Sequence, residues 1–308
     1  MRARRCLFFG GGGFRTLGFI GALEALGWGK GWTTPQEACG LSAGAILALH
    51  LVLGYNVEGI KQSFLDHEKL IFDGLDLGAL CKGRAPLNLA LVRKAIKKIL
   101  LRKGFGAGTT LRDLSERRSM RFSTLALCLD SCRIVRFGLD NTPDLSVVDA
   151  VAASVAIPLI FDHVLIGGQR YVDAGLINSV PLSIFDARST LAFVVRSCPT
   201  LGASPLPETV HLRCQFLASM AVQTAMEQGM HVLHVAHLKP VSLLSRGNVR
   251  FSESFALGMV CCVLSIMTVE LLGFLCVVCS PCCSGGSQSA GPTLSCAATC
   301  STSSGTLG

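Results

Sequence analysis

The first 52 residues repeat one local pattern, in which a short apolar run enters a glycine-rich turn and an apolar helix follows. In the first copy, Cys6–Phe9 enters four consecutive glycines, and the helical pattern Leu17–Leu26 follows. In the second copy, a weaker predicted strand at Gln36–Cys39, which is less apolar, enters a Gly-Leu-Ser-Ala-Gly turn, and the apolar stretch Ala45–Val52 follows. Strands that alternate with helices pair in parallel, because each helix carries the chain back to the same edge of the sheet. The repeat therefore predicts a layered α/β domain with a mainly parallel sheet.

The middle of the chain adds antiparallel pairs to this plan. The runs Phe122–Leu129 and Ile134–Phe137 predict two strands joined by a tight turn. A second hairpin is predicted where Gly167 and Gly168 separate two shorter apolar runs, since glycine tolerates the backbone of a tight turn. The remaining predicted elements are helices between Val57 and Arg118, a small-residue helix at Asp149–Ala156 that ends before Pro158, and a late core strand at Leu191–Val195.

Composition divides the chain into four parts. Residues 5–200 carry the alternating pattern and are predicted to form the main domain, followed by a helical extension at 201–254. Residues 255–279 are almost wholly apolar, and residues 280–308 consist largely of Ser, Gly, Cys and Thr without a charge. A stretch with so little hydrophobic mass cannot offset the entropy lost on folding, so this tail is predicted to be disordered.

The apolar segment 256–278 is long enough to cross the hydrocarbon core of a bilayer. Its apolar residues favour insertion by about 4–7 kcal/mol in total. Its one charge, Glu270, opposes insertion by about 2.5–3.5 kcal/mol. The balance predicts a cytoplasmic protein that is associated with a membrane through this segment. A core helix that exposes Glu270 to solvent stays open as the alternative.

The chain is basic, with 28 Lys and Arg against 20 Asp and Glu and a net charge of +8. Solvated helix faces or attraction to an anionic membrane surface account for its basic runs. No helix-turn-helix, zinc-finger or RNP-type aromatic pattern accompanies them, so no nucleic-acid partner is predicted. The 15 cysteines include seven scattered before residue 250 beside apolar residues, which is typical of buried thiols in a reducing compartment. The run Cys6–Phe9 is also shorter than the apolar region of about 7–15 residues in a secretory signal.

Ser42 lies at the centre of the second glycine turn, in the pattern Gly40-x-Ser-x-Gly44. A serine on a sharp strand-to-helix turn needs small residues two positions to either side, because the backbone there is strained and crowded. The turn presents the hydroxyl at the end of the sheet and at a helix N-terminus, where developing negative charge is favoured. Short Gly/Ser turns are common, so this pattern alone is a weak indication of a nucleophile.

The glycines after Phe9 are a second candidate site element. Gly11, Gly12 and Gly13 present successive backbone N–H groups without side chains, as an oxyanion hole requires. Arg15 follows them and could add charge there or hold the loop. A P-loop is disfavoured because no Lys-Ser/Thr follows, and a dinucleotide site lacks a matching βαβ unit with a well-placed acidic residue. A plain strand-to-helix turn stays open.

Asp173 stands at the end of a predicted strand, in the sequence Tyr-Val-Asp-Ala-Gly. The small residues beside it would let its carboxylate approach a serine hydroxyl closely and accept its proton. On this pattern alone, a turn aspartate or a helix N-cap is an equally good interpretation.

Together these elements resemble the patatin-like phospholipase family. The family has a glycine loop ending in a basic residue and glycine, then Gly-x-Ser-x-Gly, then a Ser/Ala-rich helix with Ile-Pro, then Asp-Gly-Ala/Gly. The matching segments here, in the same order, are Gly11–Thr16, Gly40–Gly44, Thr142–Ser154 with Ala156–Pro158, and Asp173–Gly175. The resemblance covers roughly residues 5–200, and four motifs in order are far more specific than any one of them.

The resemblance implies a three-layer α/β/α sandwich and a serine-dependent carboxylic ester hydrolase that acts on lipids. The implied roles are nucleophile for Ser42, proton acceptor for Asp173, oxyanion loop for Gly11, Gly12, Gly13 and Arg15, and motif support for Gly40, Gly44 and Gly175. No metal or organic cofactor is implied, and the implied substrate is a phospholipid or acylglycerol at a membrane surface. Apolar surface and positive charge near the site would suit an aggregated anionic substrate. A lipid acyltransferase with the same nucleophile and a catalytically inactive, membrane-associated scaffold stay open.

Two positions depart from the family pattern. Thr16 stands where the family usually has a glycine, and a β-branched residue does not readily adopt a positive φ. The loop is therefore expected to differ slightly there or not to need that conformation. Ala174 replaces the middle glycine of the Asp motif and leaves Asp173 in place.

Histidine supplies no third catalytic motif. His163, beside Asp162, is interpreted as structural. His231, His234 and His237 are spaced three apart on a predicted helix, but no carboxylate or cysteine nearby completes a ligand set, so no metal site is predicted.

Overall fold

The computed structural model of the chain describes residues 5–28, 35–72, 74, 76, 79, 85–158, 160–178, 180–196, 226 and 228–236. For residues 14, 15, 68–72, 176, 196 and 234–236 the description covers the backbone. The predicted apolar segment 255–279, the predicted tail 280–308 and most of the predicted extension 201–254 lie outside the described residues.

The described strands and helices alternate as the sequence predicts. The strands are β1 Cys6–Phe9, β2 Glu37–Leu41, β3 Arg121–Cys128, β4 Arg133–Gly138, β5 Val164–Ile166, β6 Gln169–Val172, β7 Thr190–Arg196 and β8 His231–Ala236. The α-helices are α1 Leu17–Ala25, α2 Ala43–Val52, α3 Val57–Phe72, α4 Leu89–Leu101, α5 Leu111–Arg117 and α6 Val147–Val155. Short 3₁₀ turns lie at Gly13–Thr16, Ala174–Leu176 and Leu182–Ile184.

The eight strands form one mixed sheet in the order β5-β6-β3-β2-β1-β7-β8, with β4 paired to β3. The central strands β3, β2, β1, β7 and β8 are mutually parallel. Antiparallel pairing joins β3 to β4, β3 to β6 and β5 to β6. The register of β1 on β2 places Phe9 beside Gly40. The loops that follow these two strands therefore leave the sheet side by side.

Both predicted hairpins are present in the structure. β3 and β4 pair antiparallel from Ser123 beside Gly138 to Cys128 beside Arg133. Gly167 and Gly168 have φ angles of 58° and 78°, so they turn the chain between β5 and β6 in a conformation that favours glycine.

The sheet is buried on both faces. Leu7 and Phe9 pack with the helices on one face, while Phe8 packs on the other face beside residues of the segment 174–187. All three side chains are fully buried. A strand that is covered on both sides has no polar face to alternate with, which explains why β1 is a continuous apolar run.

The helix predicted around His231 and His234 is wrong, because residues 231–236 form strand β8. This strand pairs in parallel with β7, from Leu191 beside His231 to Arg196 beside Ala236. Val232 and Leu233 are buried there. Pairing with a neighbour distant in sequence decides the structure of such a short apolar run, since its local periodicity is ambiguous. Strand positions three apart do not share a face, so the spacing that suggested a helical metal site is lost.

Candidate active site

Ser42 occupies a sharp turn between β2 and α2. Its backbone has φ 56° and ψ −132°, a conformation that residues other than glycine rarely adopt. A Cβ atom on Gly40 would lie 2.2 Å from the carbonyl oxygen of Gly44, and one on Gly44 would lie 2.2 Å from that of Phe9. No side chain fits at either position, so both glycines are needed for this turn to pass beside β1.

Two hydroxyl groups hold the backbone of the turn. The N–H of Ser42 donates a 2.9 Å hydrogen bond to the Oγ of Ser154, which lies on α6. The hydroxyl of Thr124, on β3, donates a 2.9 Å hydrogen bond to the carbonyl oxygen of Gly40. Ser154 and Thr124 are both fully buried, so water does not compete for these bonds.

Asp173 follows β6 directly and is buried, with 3% of its surface exposed. Its carboxylate accepts a 2.7 Å hydrogen bond from the N–H of Gly175 and so caps the 3₁₀ turn that begins at Ala174. Its own N–H donates a 2.9 Å hydrogen bond to the carbonyl oxygen of Ala156. A Cβ atom on Gly175 would lie 3.0 Å from the carboxylate, so glycine allows this close approach.

The side chains of Ser42 and Asp173 lie close together at the end of the sheet, near enough for the Ser42 hydroxyl to favour the ionised carboxylate. Burial disfavours the ionised carboxylate and raises the pKa of Asp173 to about 6, from an ordinary value of 3.8. Hydrogen bonding from the Ser42 hydroxyl and from the Gly175 N–H opposes this shift of the pKa. The Asp173 carboxylate beside the Ser42 hydroxyl therefore has a pKa near neutrality. In this range a group can both accept and return a proton.

The glycine loop after β1 closes against Ser42. A Cβ atom on Gly11 would lie 3.3 Å from the Cβ of Ser42, and one on Gly12 would lie 2.9 Å from a methyl group of Val195. Gly13 has a φ of 57° and begins the 3₁₀ turn. The backbone of residue 15 lies in this turn, and the side chain of Arg15 lies outside the described part of the structure.

Neither departure from the family pattern disturbs the site. Thr16 has a φ of −64°, so this position does not need the positive φ of a glycine. Its hydroxyl instead donates a 2.8 Å hydrogen bond to the carbonyl oxygen of Gly13, which stabilises the turn. Ala174 is fully buried in its 3₁₀ turn beside Asp173.

The sequence interpretation missed two residues of this site, Ser154 and Thr124. Ser154 belongs to the small-residue helix that supports the family resemblance, and Thr124 lies inside a predicted strand. A polar hydroxyl within an otherwise apolar, buried element is a signal that could have identified both, because such a group must find a partner. The identity of the partner depends on contacts between residues that are far apart in sequence.

The other titratable candidates do not join this site. His163 is exposed before β5 and influences the pKa of Asp130 rather than that of Asp173. Among the described residues, no group of three or more His, Cys, Asp or Glu side chains is arranged to hold a metal ion. Within that same part of the chain, no helix combines the length and the apolar character needed to span a membrane.

The fold and the site together define a mainly parallel α/β protein with a serine on a glycine-flanked turn and a buried aspartate. The family model of the patatin-like phospholipases matches residues 7–186. The chain belongs to this family.

Two viral proteins and one bacterial structure are similar to this chain. The probable lipid hydrolase 463L of Invertebrate iridescent virus 6 is 24% identical over 183 residues, which are 58% of this chain and 62% of that protein. The protein R571 of Acanthamoeba polyphaga mimivirus is 26% identical over 186 residues, 58% of this chain and 61% of that protein. The chain therefore matches about three fifths of the length of these relatives. The crystal structure of VipD from Legionella pneumophila has a TM-score of 0.52 at 14% identity, covering 86% of this chain and 67% of that one.

Proposed function

We propose that this protein is a serine-dependent lipid acyl hydrolase, of the phospholipase A or acylglycerol lipase type. The observation that carries the proposal is the contact between the Ser42 hydroxyl and the buried Asp173 carboxylate at the end of a parallel sheet. Membership of a phospholipase family and similarity to a protein described as a lipid hydrolase support a lipid ester as the substrate.

In the first half of the proposed reaction, Ser42 is acylated. The Oγ of Ser42 attacks the ester carbonyl carbon while Asp173 accepts the hydroxyl proton, and the carbonyl electrons move onto oxygen. The N–H groups of the loop Gly11–Gly13 and the N-terminus of α2 stabilise that oxyanion, with Arg15 as a further candidate. When the carbonyl re-forms, the bond to the alcohol breaks and Asp173 returns the proton to the departing alcohol oxygen.

In the second half, water releases the fatty acid. Asp173 accepts a proton from the water that attacks the acyl carbon, and Ser42 recovers that proton when the tetrahedral intermediate collapses. The pKa of about 6 suits both directions of transfer: near pH 7 the carboxylate is mostly ionised, and its acid form is strong enough to protonate a leaving alkoxide.

The direct test is labelling of the purified protein with a fluorophosphonate probe, followed by identification of the modified peptide by mass spectrometry. We expect the label on Ser42 and none on Ser131, an exposed serine in the β3–β4 turn. Fatty acid release from phosphatidylcholine vesicles should fall in proportion to labelling. A folded protein that takes no label would favour the inactive-scaffold alternative, and transfer of the acyl group to an added alcohol would favour the acyltransferase.

Exposed apolar side chains at the catalytic end of the sheet support a lipid interface as the source of substrate. The large apolar side chains with substantial exposure in the described structure are Leu65, Leu101, Leu129, Leu165 and Ile177. Three of them, Leu129, Leu165 and Ile177, form what we call the apolar rim. Leu129 directly follows β3, Leu165 lies in β5, and Ile177 lies four residues after Asp173. Leu129 and Leu165 both lie beside Arg170 in adjacent strands.

Part of the positive charge of the described residues lies at the other end of the sheet. Residues 85–128 contain ten Lys and Arg and two Asp and Glu, a balance of +8 that equals the net charge of the whole chain. They include α5 and the start of β3, where the strand register places Arg121 beside Glu37 at the start of β2. Beside the apolar rim, Arg170 is paired with Asp130 at 2.6 Å. Apolar contact, rather than attraction to anionic lipid, is therefore the proposed basis of binding at the rim.

We expect Leu165→Asp to reduce hydrolysis of phosphatidylcholine vesicles by about tenfold, because one inserted leucine contributes roughly 1.5–3 kcal/mol. Hydrolysis of a soluble short-chain ester should stay within about twofold of wild type, since that substrate needs no interface. The matched control is Leu101→Asp: Leu101 is 58% exposed against 65% for Leu165, and it lies at the C-terminal end of α4, away from the site. Equal effects of the two variants on vesicle hydrolysis would contradict this interface.

A further inference from the structure

The C-terminal end of α6 bonds to the backbone of both candidate catalytic residues. The Oγ of Ser154 accepts a 2.9 Å hydrogen bond from the N–H of Ser42, and the carbonyl oxygen of Ala156 accepts a 2.9 Å hydrogen bond from the N–H of Asp173. We propose that Ser154 is a positioning residue that holds Ser42 in its strained conformation and so sets the contact between Ser42 and Asp173. This inference rests on the proposed function of that pair.

The bond from Ser42 to Ser154 links positions 112 residues apart, and nothing local replaces it. With φ at 56°, Ser42 lies outside helical backbone geometry and caps α2 without a side-chain bond to it. Its N–H is buried and needs an acceptor, because an unpaired buried donor costs about 1–3 kcal/mol. Ser154 is fully buried as well, so its hydroxyl supplies that acceptor where solvent does not reach.

The two acceptors, the Oγ of Ser154 and the carbonyl oxygen of Ala156, belong to one short, rigid segment. Ser154 and Ala156 are two residues apart, at the end of a helix in which every residue from 147 to 156 except Asp149 is buried. Buried helix residues do not shift independently of their neighbours, because interiors are close-packed. Ser42 follows β2 and Asp173 follows β6, two strands that are not neighbours in the sheet. Because both residues bond to the same short segment at the end of α6, that segment sets the distance between them.

Loss of the Ser154 hydroxyl should change both the rate and the pH dependence of catalysis. Without its acceptor, the turn relaxes and the Ser42 hydroxyl moves away from Asp173. A displacement of about 1 Å at a reacting atom can lower a rate by about 10²-fold. The same movement weakens the hydrogen bond that now opposes the raised pKa of Asp173, so the pKa of this carboxylate rises further.

The experiment compares Ser154→Ala with wild type on a soluble ester and with the fluorophosphonate probe. We expect kcat and the labelling rate to fall about 10–100-fold with KM within about twofold, and the acid limb of the kcat/KM profile to move to higher pH. The matched control is Ser63→Ala, which removes another fully buried hydroxyl, bonded to His50 at 2.8 Å on the far side of α2. This control should lose stability and keep the rate and the pH profile.

Ser154→Thr retains an acceptor hydroxyl and should keep the acid limb of wild type even where its extra methyl group lowers stability. If Ser154→Ala does not fold, Ser154→Cys takes its place, because a thiol is a weak acceptor of similar size. Wild-type kinetics and pH profile in a folded Ala or Cys variant would overturn the inference while leaving the proposed function intact. Absence of Ser42 labelling in wild type would instead remove the proposed function itself.

Discussion

Asp173→Asn is expected to lower kcat by about 10⁴-fold and to make the folded protein more stable at pH 7. General-base catalysis contributes about 10²–10⁴-fold, and the upper value applies because this carboxylate is the sole proposed acceptor for both the serine and the water proton. Asn retains an oxygen that can accept from the Gly175 N–H and an amide that can bond to Ser42. The variant should therefore fold and bind substrate, and fail in proton transfer alone.

The gain in stability follows from the raised pKa of Asp173. Between about pH 4 and pH 6 the folded protein keeps the proton on this carboxyl while the unfolded chain has released it. The folded state then binds more protons, so the free energy of unfolding decreases as pH rises through this range. Above pH 6 the full cost is present, about 3 kcal/mol for a shift of about two pKa units. Asn carries no charge, so the variant lacks the free-energy cost of burying an ionised carboxylate.

Thermal unfolding of wild type and Asp173→Asn at pH 4, 5 and 7 measures this effect. The melting temperature of the variant should exceed that of wild type at pH 7, with a difference that shrinks toward pH 4. Asp140→Asn is the control, because Asp140 is an exposed carboxylate in an ion pair with Arg121 at 3.3 Å. That change should leave activity intact and give no stabilisation. An active Asp173→Asn enzyme would mean that another group is the base.

Removal of the Ser42 hydroxyl is expected to abolish probe labelling and to lower hydrolysis by about 10⁶-fold, the loss typical of a serine hydrolase without its nucleophile. Two variants separate chemistry from backbone strain. Ser42→Ala keeps a Cβ atom at φ 56°, whereas Ser42→Gly adopts that conformation without strain. Both should be inactive, and the Gly variant should be more stable than the Ala variant by about 1–2 kcal/mol.

Urea unfolding of the two variants at one pH measures the strain. The control is the same pair of changes at Ser63, which lies within α3. There glycine should be less stable than alanine by about 1 kcal/mol, because it loses more entropy in a helix. The two sites should therefore respond with opposite sign. If Ser42→Gly were no more stable than Ser42→Ala, the turn would store no strain.

Local sequence was sufficient for the elements whose geometry depends on their own residues. The strand at Cys6–Phe9 was predicted from a continuous apolar run, and the β5–β6 turn from two adjacent glycines that adopt positive φ. The turn around Ser42 was predicted from Gly40 and Gly44, which the structure shows to be in contact with backbone atoms. In each case a property of the residue itself, its missing side chain or its apolar surface, restricts the backbone.

Local sequence misled where a long-range contact decides the structure. The segment around His231 has an apolar pattern that fits a helix or a strand, and its pairing with β7 makes it a strand. Positive charge near the site stays a prediction, and the basic residues of α5 and the start of β3 lie at the other end of the sheet.

The sequence by itself determined the class of fold, the order of the motifs and the identity of Ser42 and Asp173 as candidates, because residue type and spacing carry that information. Only the tertiary structure decided that these two side chains meet, that Ser154 bonds to the N–H of Ser42, and that burial raises the pKa of Asp173 to about 6. Each of these depends on which distant residues exclude water from the site, and desolvation is a property of the packed interior rather than of any segment of the chain.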